Sequence, residues 1–416
     1  MSQYVVNGGR RLEGELQIGG SKNAVLPIMA ATLLNEGITQ LENCPRISDV
    51  EIMRELLKEL GCKAEWDQDT LIIDTRNLKA FEISEKLVKR MRSSIVLLGA
   101  LMGRCGQAKM CQPGGCQLGA RPIDLHLDAI KKMGVDINEE NGTICCKARN
   151  LQGATINLKF PSVGATENIM LAAVKSDGVT VINNPAREPE IVDLQDYLVS
   201  CGAKITGAGT NKIIIQGVKK LESIRYRVIP DRIIAGTYMV AAAITRGNIR
   251  LKDINSQHLR AMIETFRSMG CIISEEPNAI EINTPRILKG TQIVTAPYPG
   301  FPTDMQSQML ALMCTCEDIS RVTEKLFESR FKTAHELCKM GADIKVDDCV
   351  ATVFPKEKLT GCPVRARDLR GGAALVLAGL AAEGCTIVND IEHIKRGYTS
   401  IVSDLAQLGA QIEERE

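Results

Sequence analysis

Residues 112–126 read QPGGCQLGARPIDLH, and four of the first eight are glycine or proline. That composition reads as a loop rather than a core segment. Cys116 in its midst is therefore a thiol offered to chemistry, and a nearby cation would set its reactivity. Cations are placed in a recurrent way. Lys22 in GGSKNAV, Arg92 in RMRSSIV, Arg121 in ARPIDLH, Arg232 in PDRIIAG, Arg330 in ESRFKTA, Arg370 in DLRGGAAL and Arg396 in KRGYTS all stand just before or at the expected start of a helix. A helix N-terminus already carries free N–H groups and partial positive charge, so a carboxylate, not a cation, stabilises it. Repeated placement against that preference predicts anion binding. Arg370 beside Gly371 and Gly372 is the strongest case, because glycines let a ligand approach the backbone.

These residues need elements to hold them, and the chain supplies a repeat. Helical periods end in a glycine and lead into short alternating strands, as in ELLKELGCKAEWDQDTLIID and LDAIKKMGVDINEENGTICC. The glycines are Gly61, Gly134, Gly202, Gly270, Gly341 and Gly409, spaced by 73, 68, 68, 71 and 68 residues. Each fits the left-handed position that follows a helix. A second kind of helix interleaves, apolar on every side: NAVLPIMAATLLNEG, SIVLLGALMGRCG, ATENIMLAAVKSDG, IIAGTYMVAAAITRG, DMQSQMLALMCTC and GGAALVLAGLAAEG. Such helices belong in a core. The pattern predicts an α/β protein of six units of about 70 residues, three per domain. The expected boundaries are residues 22–229 for one domain, and 1–21 plus 230–416 for the other, the N-terminal strand crossing over. Two such domains facing each other would form an anion-binding cleft.

Composition narrows the partners. The 416 residues are 44% apolar, 24% charged and only 3% aromatic, with a net charge of +1. No basic block marks a nucleic-acid footprint, and few aromatics are available to stack on bases. No run of eighteen apolar residues predicts a membrane span. The start, MSQYVVNGGRRLEG, has no apolar signal core. Fifteen cysteines, an odd count without zinc-ribbon spacing, and four histidines predict reduced thiols in a cytoplasmic protein without a metal site.

GGSKNAVLP, PGGCQLGARPIDLH, SVGATENIM, NNPAREPEI, FPTD, ESRF, LRGGAALV and KRGY follow one another along nearly the whole chain. As a set they resemble the UDP-N-acetylglucosamine 1-carboxyvinyltransferase family, the enolpyruvyl transferases of the first committed step of peptidoglycan synthesis. The resemblance implies a two-domain, inverted α/β barrel-like fold with pseudo-threefold symmetry. It also implies a cofactor-free reaction of phosphoenolpyruvate with UDP-N-acetylglucosamine. The sister family that makes enolpyruvyl-shikimate phosphate lacks the cysteine loop. A non-catalytic binder would not be expected to keep Lys22, Cys116, Asp304 and Arg396 together.

The same resemblance assigns roles. Cys116 is the loop acid toward phosphoenolpyruvate, able to form a covalent adduct and to react with an epoxide phosphonate such as fosfomycin. Asp304 is the base for the sugar hydroxyl. Lys22, Arg121 and Arg396 hold the phosphate and carboxylate, with Arg92, Arg330 and Arg370 in support. Asn23, Arg121, Pro122, Asp124, Leu125, His126, Ser162, Val163, Gly164 and Leu326 contact the nucleotide sugar. The chain departs in one place: where many relatives carry Lys or Arg ahead of SVGAT it has Phe160-Pro161, with Lys159 one step earlier. The resemblance therefore does not extend to a cationic diphosphate contact from that loop.

Overall fold

The structure is a computed structural model that describes residues 2–114 and 123–416. Cys116, Arg121 and Pro122 lie outside the described residues. The chain forms two compact units. One comprises the described residues from Gly20 to Ile229, the other residues 2–19 and Pro230–Glu416.

Six sheets are present among the described residues, five of four strands and one of three. In the Gly20–Ile229 unit, Arg225–Arg227, Ile38–Glu42, Thr70–Asp74 and Lys63–Asp67 form one sheet. Its first pair is parallel and the rest antiparallel. Thr155–Asn157, Val179–Asn183, Lys212–Gln216 and Lys204–Thr206 repeat that pattern. Gln107–Cys111, Thr143–Lys147 and Asp136–Glu140 form the three-stranded sheet, with a single parallel bridge from Glu82 to Lys109 in the fourth place. The other unit has three sheets of the same mixed kind. One of them holds the strand Gln3–Asn7 between Cys385–Asn389 and Gln411–Arg415, antiparallel to both. Each sheet is open at its edges, and none closes into a barrel among the described residues; the mixed sheets and buried helices agree with the expected α/β class.

The apolar runs form helices and bury almost every residue, as their all-round hydrophobicity requires. Lys22–Ala31, Val96–Cys105 and Val163–Ala173 lie in the core of one unit. Arg232–Ile244, Gln306–Met313 and Leu369–Ala381 lie in the core of the other. The amphipathic helices instead end at the recurrent glycines, and all six have left-handed backbone, with φ between +85° and +102°. A side chain there would be strained, so the helix stops and the strand begins. No helix among the described residues is long and apolar enough to cross a membrane.

Candidate active site

The chemistry-bearing residues fall into two groups, one in each unit. In the Gly20–Ile229 unit, Lys22 is the first residue of the helix Lys22–Ala31. Its ammonium stands 2.7 Å from Asp49 Oδ2, and the two residues are only 8% and 1% exposed. Asp49 opens the helix Ser48–Glu59, where a carboxylate suits the dipole. Asn23 follows Lys22, and Pro27 has no N–H with which to engage the Asn23 carbonyl four residues back. Arg92 begins the 3-10 turn Arg92–Ile95 and donates to the Pro113 carbonyl at 3.1 Å. Gly114 donates to the Val88 carbonyl, and a β-carbon there would lie 2.0 Å from the Lys89 carbonyl oxygen. The root of the cysteine stretch is thus fastened where only glycine fits.

The helix Asp124–Lys132 leaves Asp124 exposed, Leu125 half-buried and His126 buried. The helix Val163–Ala173 is capped by Ser162, whose hydroxyl accepts from Ala165 N at 3.3 Å. These two helix starts meet where the His126 ring lies against Gly164. Asn168 bonds to His126 and to the Val96–Cys105 helix start, a role no spacing signal announced. Ahead of Ser162, Phe160 is 45% exposed and supplies no charge.

In the other unit Asp304 sits in the short turn Thr303–Met305 before the helix Gln306–Met313. It does not cap that helix. Its Oδ1 accepts from Arg330 Nη2 at 3.0 Å, and its Oδ2 from Arg370 Nη2 at 3.0 Å and Nε at 3.3 Å. The two guanidinium side chains are 3% and 4% exposed, while Asp304 is 30% exposed. Burial opposes the charge on Arg370, but Asp304, Tyr398 and Asp231 outweigh it and hold the guanidinium more firmly protonated than usual. Arg330 also donates to the Thr303 carbonyl at 3.1 Å, and its Nε is buried without a hydrogen-bond partner among the described residues.

Glu324 braces this group, a role that no motif or spacing announces. One of its oxygens accepts from Thr303 Oγ1 at 2.8 Å; the other accepts from Leu326 N and Thr295 Oγ1, each at 2.8 Å. The turn carrying Asp304 and the backbone of Leu326 are thereby held by one buried carboxylate. Tyr398, also buried, links Thr237, Gln308 and Arg370 at 2.9, 3.4 and 3.5 Å.

Two expectations change. Arg396 does not start a helix: it ends the 3-10 segment Ile391–Arg396, ahead of the helix Ile401–Gln407. A cation at that end agrees with the helix dipole, so its placement there is no argument for an anion. The N-termini at Arg232 and Arg370 are not bare either. Asp231 accepts from Ile233 N and Ile234 N, and Asp368 from Arg370 N and Gly371 N, at 2.7–3.0 Å. The chain's own carboxylates thus take the N–H groups, and the cations beside them are partly balanced. Among the described residues no cluster of three or more His, Cys, Asp or Glu could hold a metal.

Comparison with known proteins places this geometry. Residues 6–405 match the sequence profile of the family described as EPSP synthase (3-phosphoshikimate 1-carboxyvinyltransferase). The chain is 51% identical over 413 residues, 99% of each protein, to UDP-N-acetylglucosamine 1-carboxyvinyltransferase 2 of Caldanaerobacter subterraneus subsp. tengcongensis. It is 46% identical over 412 residues, again 99% of each, to UDP-N-acetylglucosamine 1-carboxyvinyltransferase of Geotalea uraniireducens. The crystal structure of the enolpyruvyl transferase NikO from Streptomyces tendae matches with a TM-score of 0.90 at 27% identity, covering 100% of this chain and 99% of that one. EPSP synthase from Acinetobacter baumannii shares the fold, with a TM-score of 0.77 at 21% identity over 100% of both chains.

Proposed function

The chain belongs to the enolpyruvyl transferase family, and from that premise we infer its reaction. It transfers the enolpyruvyl group of phosphoenolpyruvate to the 3-hydroxyl of UDP-N-acetylglucosamine and releases phosphate, the first committed step of peptidoglycan synthesis. The match to carboxyvinyltransferases for that acceptor over 99% of the chain supports this acceptor over shikimate phosphate. On the side of the structure, one observation carries the reading: Asp304 is partly exposed and bracketed by two buried guanidinium groups, one with an uncommitted donor.

The chemistry assigns each residue a task. Cys116 gives its proton to the methylene carbon of phosphoenolpyruvate. The sugar 3-oxygen bonds to the neighbouring carbon, and Asp304 takes the hydroxyl proton. The result is a tetrahedral intermediate that still carries phosphate. Loss of a methyl proton and of the phosphate then restores the double bond. Lys22, Arg121 and Arg396 hold the phosphate and carboxylate, and Arg92, Arg330 and Arg370 supply further positive charge. An arginine's planar fork matches either anion. As an anion arrives, Arg330 and Arg370 can exchange Asp304 for it, which leaves the carboxylate able to accept a proton. Asn23, Pro122, Asp124, Leu125, His126, Ser162, Val163, Gly164 and Leu326 contact the nucleotide sugar. The substrates and the many reduced thiols fit a cytoplasmic enzyme.

The test is phosphate release from phosphoenolpyruvate with each acceptor in turn. Release with UDP-N-acetylglucosamine and not with shikimate 3-phosphate is expected. The reverse preference, or release with neither, would overturn the reading.

A further inference from the structure

We propose that Asn168 is a positioning residue that fixes His126 as the neutral tautomer with its proton on Nε2, making the ring a directed hydrogen-bond donor to the nucleotide sugar. The second half of this proposal rests on the function inferred above; the first does not.

The orientation of the Asn168 amide follows from its neighbours. Gly99 N stands 2.6 Å from Oδ1, and a backbone N–H can only donate, so that end must be the oxygen. The other end faces the Ile95 carbonyl at 3.0 Å, which can only accept, so it must be the NH2 group. The same Nδ2 lies 2.8 Å from His126 Nδ1. Its two hydrogens are therefore committed, one to Ile95 and one to the ring. Nδ1 must present its lone pair, and a neutral imidazole then carries its proton on Nε2.

Packing leaves little freedom to rearrange. Asn168 is wholly buried and His126 is 7% exposed. A β-carbon at Gly99 would lie 2.3 Å from the Asn168 carbonyl oxygen, so the helices Val96–Cys105 and Val163–Ala173 approach through a glycine. A β-carbon at Gly164 would lie 2.9 Å from His126 Cε1 and 3.4 Å from Nε2. The protonated edge of the ring is thus turned toward Ser162-Val163-Gly164, the stretch assigned to the nucleotide sugar. Flipping the amide would set an NH2 against Gly99 N–H and a carbonyl against the Ile95 carbonyl, leaving buried groups unsatisfied. Protonating Nδ1 would set two donors 2.8 Å apart. The ring supplies direction rather than charge, beside a loop where Phe160-Pro161 supplies no charge either.

The test uses the whole protein labelled with 15N-histidine, in the absence of substrate. Nitrogen–proton correlation spectra report which ring nitrogen of each histidine is protonated, and His126→Gln identifies the signal. At neutral pH His126 is expected to show a bare Nδ1 and a protonated Nε2. Asn168→Asp puts an acceptor where the donor was and is expected to move a proton onto Nδ1. It should also raise the KM for UDP-N-acetylglucosamine on the order of ten-fold, the scale of one hydrogen bond, with kcat and the KM for phosphoenolpyruvate nearly unchanged. A protonated Nδ1 in the wild type, or an unchanged pattern in a folded Asn168→Asp, would overturn the assignment. The wild-type spectrum decides even if the variant does not fold. An expected spectrum without the rise in KM would overturn the donor role, and a wild type that does not turn over UDP-N-acetylglucosamine would overturn the functional reading by itself.

Discussion

Lys22 and Asp49 form a buried ion pair, with 2.7 Å between nitrogen and oxygen and side chains 10% and 1% exposed. Removing one partner takes from the other its close buried counter-charge, a change that costs about 3–5 kcal/mol. Asp49→Ala is therefore expected to lower the melting temperature on the order of 10 °C in a unit of this size. Lys22→Met combined with Asp49→Leu removes both charges and should recover most of that loss while abolishing turnover. Calorimetry on the three proteins checks this; equal melting temperatures for wild type and Asp49→Ala would show that the pair is not a stabilising contact.

Asp304 needs its charge for a different reason. Asp304→Asn keeps an oxygen to accept from one guanidinium but cannot take a proton. Turnover should fall by roughly a hundred- to ten-thousand-fold, the range for losing a general base. The melting temperature should fall as well, because Arg330 and Arg370 are buried and lose the carboxylate they share, so turnover is compared well below the melt. Retained turnover in a steady-state phosphate assay would remove Asp304 from the proton transfer.

Cys116 is required as an acid. Cys116→Asp should keep measurable turnover with its optimum at lower pH, because only the protonated carboxyl donates. Cys116→Ser, a far weaker acid, should lose on the order of a hundred-fold or more. An epoxide phosphonate should label Cys116 in preference to the other fourteen cysteines. Burial pushes Cys62, Cys146 and Cys316 up to about 12, and Cys201 and Cys271 to about 11, so they carry almost no thiolate at neutral pH. Peptide mass spectrometry decides; label spread over exposed Cys338, Cys349 and Cys385 would mean that exposure alone governs reactivity.

Asp193 gives the Gly20–Ile229 unit a pH dependence. Burial raises its carboxyl to about 7, despite hydrogen bonds from Tyr226 Oη at 2.6 Å and Ile229 N at 3.4 Å. The unfolded chain releases that proton near pH 4. Between about pH 4 and 7 the folded state holds more protons, so stability falls as pH rises, and the loss levels off above 7. Asp193→Asn should flatten this slope, gaining relative to wild type by up to about 4 kcal/mol at pH 8. Melts of both proteins from pH 4 to 8 test it; parallel curves would show that Asp193 does not titrate in this window.

Local pattern made the six left-handed glycines legible, along with the apolar helices and the helix starts at Lys22, Arg232 and Arg370. These features depend on residues within one or two turns of each other. The partners that tune the cations were not legible, because long range separates them. Asp49 is 27 residues from Lys22, and Asp304 is 66 from Arg370. In the sequence Glu324 is one more charge at a strand end, and Asn168 one polar residue inside an apolar helix. What singles them out is burial, which a charge pattern does not encode. Arg396 was misplaced because a short 3-10 turn has no strong period to read.

The strand Gln3–Asn7 lies between two strands from the far end of the chain, with Val5 opposite both Ile387 and Glu413. During synthesis that order has a cost in time. At roughly 5–20 residues per second, Val5 is added to the chain about 20–80 seconds before Ile387. The Gly20–Ile229 unit has all of its strands early and can close while translation continues. The other unit cannot, and Tyr4 and Val6, buried in the finished protein, have no partners until the last strands arrive. A nascent chain stalled before residue 385 would therefore carry one folded unit and one adhesive apolar end, the kind of intermediate that chaperones bind.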